Sequence, residues 1–461
     1  MNKSYRIPGI TVTQEEPFAH DALGRKPIVD FVANILSETE GQPLVLAIDS
    51  PYGTGKSTFI EMLQSVMRQK NFQVVNFNAW KADHVSDPLI AMVAALDQAF
   101  PNDSTIATNK MARVKKVAGI MLKHSAAVGL KIATAGILEM PDDIEDALAD
   151  TASNATSDII NSFENEEKAA KCFKEELEKV IAKLPQMNKK GTLVFFIDEL
   201  DRCRPDFAMS LLERVKHLFD VPNIAFVLAV DKKQLEAVTG AVYGEKIDAQ
   251  EYLRKFIHLE FGLPNPPKTE FLKNAIQRAG MSTAFEGHRD NLQDMFVRFV
   301  SLLADVYGMS LRSIERCIVR LKVVMAVTPD DHKIYIFHVA LLTVLRSIDK
   351  ETFDEIITGQ IGGIEAMDYF RNLPGGRSKF DDLDGNILEA MLVADLESPE
   401  GIRDYKDRQK EILNSGDVSN ESQDNAQHKL QILESFTGGW NARGRMRRVA
   451  ATIDIAANIR D

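Results

Sequence analysis

Short apolar runs alternate with helix-spaced segments through the first half of the chain. Residues 43–49, Pro43-Leu-Val-Leu-Ala-Ile-Asp49, form one such run and predict a buried strand. A small-residue loop over 50–55 follows, and 57–67 then carries apolar residues at helical spacing. Residues 72–78 predict a second strand. Asp87-Pro88 predicts a helix start, with the helix running to about Phe100. Residues 192–197, Thr192-Leu-Val-Phe-Phe-Ile197, are the most strand-like run, being continuous, apolar and rich in β-formers. Phe207, Leu211, Leu212, Val215, Leu218 and Phe219 mark one helical face after it, and 224–230 reads as another buried strand. Strands alternating with helices predict an α/β fold with a mostly parallel sheet covered by helices. After Pro264-Asn-Pro-Pro267 the pattern is helical only, through about Thr358; residues 371–385 and 413–428 are polar and read as loops.

The chain has 461 residues, 45% hydrophobic and 26% charged, so it can bury a sizeable core and is not globally disordered. Lys and Arg number 55 against 67 Asp and Glu, a net charge of −12. That excess excludes a general electrostatic grip on nucleic acid and leaves a local basic face open. Cys172, Cys203 and Cys317 are too scattered for a disulfide framework or a zinc site, and the histidines show no metal spacing. Residues 1–14 lack the apolar core of a secretory signal, so a cytoplasmic protein is expected. The nearest approach to a membrane span, 117–138, is interrupted by Lys123, His124 and Lys131. Each Lys near a bilayer centre costs roughly 2.5–3.5 kcal/mol. The segment is therefore expected to fold as closely packed helices. For its basic face, 110–131, solvation, a peripheral membrane contact and a nucleic-acid contact all stay open.

The chemistry starts at Ser50-Pro-Tyr-Gly-Thr-Gly-Lys-Ser57, between a predicted strand and a predicted helix. The pattern is that of a phosphate loop. Ser50, Pro51, Tyr52, Gly53, Thr54 and Gly55 would wrap phosphates with backbone N–H groups at a helix N-terminus. Lys56 would reach the β- and γ-phosphates of ATP, Ser57 would bind Mg²⁺, and Thr58 would donate to the α-phosphate. Ser50 stands where the pattern has its first glycine; it is strained there by about 1 kcal/mol or more if that position takes φ > 0. A second element, Ile197-Asp-Glu-Leu-Asp-Arg202, ends the best strand. Asp198 at such a tip would hold Mg²⁺ through water, and Glu199 would serve as general base. The plainer reading of these acids is a helix cap.

These elements resemble the KAP family of P-loop NTPases. The resemblance extends to Asn76-Phe-Asn-Ala-Trp80, Phe196-Ile-Asp-Glu-Leu-Asp-Arg-Cys-Arg-Pro205, Phe226-Val-Leu-Ala-Val-Asp231, Tyr252-Leu-Arg-Lys-Phe-Ile257 and Leu311-Arg-Ser-Ile-Glu-Arg316. It implies a core in which an additional strand separates the two nucleotide-binding strands, followed by a helical lid. It implies Lys56 and Ser57 as the Walker A pair, Asp198 and Glu199 as the Walker B pair, Asp231 near the γ-phosphate and Arg312 as a lid arginine. Leu311 replaces the family's usual proline and Tyr52 its usual tryptophan. The implied organisation is an ATPase core over 1–101 and 167–265, a helical insertion over 102–166, a lid over 266–360 and a helical extension over 361–461. Implied partners are ATP and a second copy or another protein; soluble prokaryotic members are associated with mobile elements and anti-phage defence. An assembly switch without turnover and a nucleic-acid-stimulated motor are the competing readings.

Three basic features stay open. Arg254 and Lys255, expected just after a strand, suit either a neighbour's nucleotide or solvent. Arg202 and Arg204 suit either phosphate or the carboxylates of Asp206 and Glu213. The cluster Arg443-Gly-Arg-Met-Arg-Arg448 suits nucleic acid, an acidic partner or a solvated tail.

Overall fold

The computed structural model describes residues 7–39, 41–100, 105–125, 157–265, 267–285, 291–327, 335–376, 379–380, 382–415, 419–437 and 444–457. The chain divides into two compact units, Thr11–Pro264 and Met1–Ile10 with Asn265–Asp461.

The first unit is built on a five-stranded parallel sheet: β1 Leu44–Asp49, β2 Gln73–Asn78, β3 Leu193–Asp198, β4 Ile224–Val230 and β5 Leu259–Gly262. Its order is β2-β3-β4-β1-β5. Side chains alternate between its two faces, as the pleat requires. On β3, Leu193, Phe195 and Ile197 enter one core while Val194 and Phe196 enter the other. Helices Lys26–Ser37 and Lys56–Gln69 supply the second core with Val29, Val32, Phe59 and Leu63. Helices Pro88–Ala99 and Pro205–Leu218 cover the opposite face with Met92, Leu96, Leu211 and Val215. The Asp87 side chain caps the first of these by accepting from Leu89 N at 2.8 Å.

From the expected insertion, helices Thr105–Ser125 and Ser157–Ile181 are described. Met111, Val114, Val117 and Ala118 of the first join Phe173, Leu177 and Val180 of the second in the sheet's larger core. The remainder of the 117–138 segment, with Lys131, lies outside the described residues. Among the described residues, no helix is long and apolar enough to cross a membrane.

The second unit is helical. Its helix Leu383–Leu396 is buried nearly all round, which explains why it is apolar on every side rather than along one stripe. Among the polar residues it buries, Glu389 meets Arg371 at 2.7 Å, Lys429 at 3.0 Å and the Tyr405 hydroxyl at 2.8 Å. Asp395 lies 2.7 Å from His338 Nε2.

Two sequence expectations change here. Residues 413–428, read as a loop, include the start of helix Asn420–Thr437; Ala426, Lys429 and Leu433 are buried, so packing overrides a polar composition. The basic cluster is not a solvated tail where it is described. Arg445 starts helix Arg445–Ala457, is buried, and donates to Phe436 O; Arg447 Nε donates to Ile357 O at 3.0 Å.

Candidate functional site

Parallel α/β sheets place their reactive side chains beyond the carboxyl ends of the strands. Register puts Asn78 of β2 level with Asp198 of β3, and Asp49 of β1 level with Val230 of β4. Strand β4 lies between β1 and β3, so an additional strand separates the phosphate loop from the acidic tip.

The phosphate loop leaves β1 and enters helix Lys56–Gln69. Gly53 and Gly55 take φ of 76° and 86°, a left-handed backbone that favours glycine. Ser50 is not among the positive-φ residues, so the strain expected of it is absent. Instead it is buried, and its hydroxyl lies 2.6 Å from Thr54 Oγ1, which in turn donates to Pro51 O at 2.8 Å. The serine therefore braces the loop. Ser50→Gly removes one hydrogen bond and adds chain entropy, together about 1–2 kcal/mol. The variant is expected to melt a few degrees lower; a Tm equal to the wild type's would show that the brace is idle.

Lys56 is buried, donates to Ser50 O at 2.8 Å and lies 3.7 Å from Asp201 Oδ2. Burial pulls its pKa below the ordinary lysine value, while Asp201, Asp231, Asp198 and Asp49 act in the opposite direction. Arg25, itself buried, donates to Pro264 O at 2.8 Å and to Thr54 O at 3.4 Å, tying the loop from behind.

At the acidic tip, Ser57 is close enough to act on the Asp198 carboxylate. Asp198 Oδ1 accepts from Glu199 N at 2.8 Å. Burial raises the Asp198 pKa, opposed by Ser57, the Glu199 N–H and the Lys56 charge. A hydroxyl and a carboxylate at one strand end suit a hard divalent cation that completes its shell with water and phosphate oxygens. Glu199 has φ 60°, ψ 27°, a conformation that costs a non-glycine residue about 1–2 kcal/mol. Both its oxygens are engaged: Asn78 Nδ2 donates to Oε2 at 2.8 Å and Arg202 Nη1 to Oε1 at 2.5 Å. Arg202 also lies 5.2 Å from the Tyr52 ring centroid and 5.9 Å from that of Trp80. That contact accounts for an otherwise exposed tryptophan.

The structure thus gathers the phosphate loop, Asp198, Glu199 and Asp231 at the carboxyl ends of β1, β3 and β4. Thr58 is half-buried in the first turn of the loop's helix. Arg312 is exposed at the second position of helix Leu311–Val327, in the other unit. Arg202 pairs with Glu199 and Arg204 with Asp83 at 2.6 Å, not with Asp206 or Glu213. Arg254 and Lys255 follow a short helix, Ala249–Leu253, and precede β5, which corrects the expectation that they follow a strand. Asn78 and Asp201 had no role assigned from the sequence, although both lie in motifs singled out there.

A phosphate loop on β1, an acidic tip on β3 and one strand between them define a P-loop NTPase, a nucleotide-binding class. The KAP family P-loop domain matches residues 25–328, more than half of the chain, and the chain belongs to that family. The Phage T7 exclusion protein of Escherichia coli (strain K12) is 27% identical over 119 residues, 26% of this chain and 16% of that protein, so the match spans only a small part of the relative's length. Solved structures similar to it include the Aeropyrum pernix ORC2 protein in its ADPNP-ADP complexes, 14% identical with a TM-score of 0.34, covering 99% of this chain and 96% of that one. CDC6P from Pyrobaculum aerophilum is 11% identical with a TM-score of 0.37, covering 98% and 97%.

Proposed function

We propose that the protein is a Mg²⁺-dependent ATPase whose nucleotide state governs assembly. One observation carries this reading. The phosphate loop meets the turn after β3, where Tyr52 donates to Asp201 O at 3.1 Å and Lys56 Nζ lies 3.7 Å from Asp201 Oδ2. In this reading the loop N–H groups and Lys56 hold the β- and γ-phosphates, and Thr58 meets the α-phosphate. Mg²⁺, held by Ser57 and Asp198, supplies positive charge that offsets the phosphates. Glu199 accepts a proton from the attacking water, and Asp231 lies on the γ-phosphate side. Catalysis comes mainly from positioning and charge. Arg312 is assigned as a lid arginine, with residues 266–360 as the lid, 102–166 as an insertion into the core and 361–461 as an extension.

Engagement of both Glu199 oxygens favours a second reading, in which bound ATP switches assembly without turnover. A role in phage defence is supported by the likeness to the phage exclusion protein. A cytoplasmic location is proposed with it, and a peripheral membrane contact through 110–116 remains a further proposal. The test is phosphate release by the purified protein, with and without nucleic acid, alongside its mass with and without ATP. Turnover supports the ATPase; a mass change without turnover supports the switch. Turnover that needs DNA or RNA supports the motor. Neither turnover nor ATP binding overturns all three.

A further inference from the structure

Asp201 is a buried carboxylate of the site that sits three residues beyond Asp198. Its side chain is only 1% exposed. Oδ2 lies 3.7 Å from Lys56 Nζ and accepts from Asp231 N at 2.8 Å. Its carbonyl accepts from the Tyr52 hydroxyl at 3.1 Å. One residue therefore ties the phosphate loop to the turn after β3 and to the end of β4. The turn Leu200–Arg202 that presents it also presents Arg202 to Glu199. Both reactive side chains are held by neighbours on a single turn.

We propose that Asp201 is a positioning residue of the phosphate site, the internal counter-ion of Lys56 that nucleotide phosphate displaces. This rests on the reading of Lys56 as a phosphate ligand. A buried lysine needs a partner whether or not nucleotide is present. The Ser50 carbonyl supplies a hydrogen bond but no charge, so Asp201 supplies the charge. When phosphate arrives, Lys56 turns to it, and Asp201 stays on the Asp231 N–H as a like charge beside the new anion. Asp201 therefore keeps the site assembled at a cost in phosphate affinity, and the cost grows with phosphate charge.

Asp201→Asn separates the two roles. The amide oxygen still accepts from Asp231 N, and the backbone carbonyl still accepts from Tyr52, while the buried negative charge is gone. Calorimetry of wild type and variant with ATP, ADP and AMP in Mg²⁺ is the experiment. ATP is expected to bind about tenfold tighter to the variant, ADP less so, and AMP within about twofold, because a close like charge is removed. Asp201→Glu, which retains the charge, is expected to bind ATP with about the wild-type affinity. Equal ATP affinity in wild type and Asp201→Asn, weaker ATP binding by the variant, or a gain equally large for AMP would overturn the proposal and leave Asp201 a structural tie. Should the amide variant fail to fold, Asp201→Ser, also neutral, replaces it with the same expected order. A wild-type protein that binds no nucleotide overturns the reading of Lys56 itself, an outcome distinct from the failure of Asp201 alone.

Discussion

Lys56→Ala is expected to abolish tight ATP binding. The lysine is buried between the Ser50 carbonyl and Asp201. In the proposed complex it is the side-chain cation closest to the β- and γ-phosphates. Truncating one side of a buried, hydrogen-bonded charge pair costs about 2–5 kcal/mol. That is a loss of roughly 30-fold to several thousand-fold in affinity at ~1.4 kcal/mol per decade. The substitution also leaves Asp201 buried beside no cation, so the variant should melt earlier than the wild type. Circular dichroism should still show a folded protein, because the sheet cores around Phe195 and Leu46 do not touch this lysine's charge. Calorimetry giving an unchanged ATP affinity in a folded variant would remove the phosphate-loop assignment altogether.

β1, β3 and β4 were legible because each is a continuous apolar run buried on both faces of a covered parallel sheet, and β2 because Val74, Val75 and Phe77 stand out between Gln73, Asn76 and Asn78. The fifth was not. In Leu259–Gly262, Leu259, Glu260 and Gly262 are exposed and Phe261 is half-buried, so this edge strand carries no apolar signature. Its place is set by pairing with β1, from Leu46 opposite Leu259 to Asp49 opposite Gly262. The helix Asn420–Thr437 was hidden for the opposite reason: a polar stretch becomes helical because a few residues in it are buried.

The candidate site shows the same division. Gly53, Gly55, Lys56 and Ser57 are local and fall on a strand–loop–helix boundary, so spacing alone finds them. The partners of those residues are not local. Asn78 reaches Glu199 across 121 positions because register sets the tips of β2 and β3 side by side. Asp201 reaches Lys56 only because β4 separates their strands and brings both loops over its end. The positive φ of Glu199 is likewise invisible in sequence, since glycine or asparagine would be the expected residue at such a position. The strain at Ser50 was conditional on a positive φ there, and the loop takes positive φ at Gly53 and Gly55 instead.

Glu199→Gln is expected to leave ATP bound and to bring hydrolysis nearly to a halt. The amide matches the carboxylate in size and can still accept from Arg202 through its oxygen. Its nitrogen then faces Asn78, whose amide can turn to present oxygen only by giving up the bond it accepts from Lys81 N at 2.9 Å, a cost of about 1 kcal/mol. The turn at Leu200–Arg202 should therefore persist, and with it the Asp201 contacts that assemble the phosphate site. What disappears is the ability to take a proton from water. A positioned general base typically contributes 10²–10⁴-fold, and turnover is expected to fall by about that factor while the ATP dissociation constant changes little. This separation of binding from turnover distinguishes the two readings of the acidic tip. A base is indispensable to the rate, whereas a capping residue stabilises the turn and leaves the rate alone. Arg202 sharpens the contrast, since the carboxylate must leave or share that cation before it serves a water molecule. If phosphate release by Glu199→Gln, measured at saturating ATP, equals that of the wild type, Glu199 belongs to the turn rather than to the chemistry.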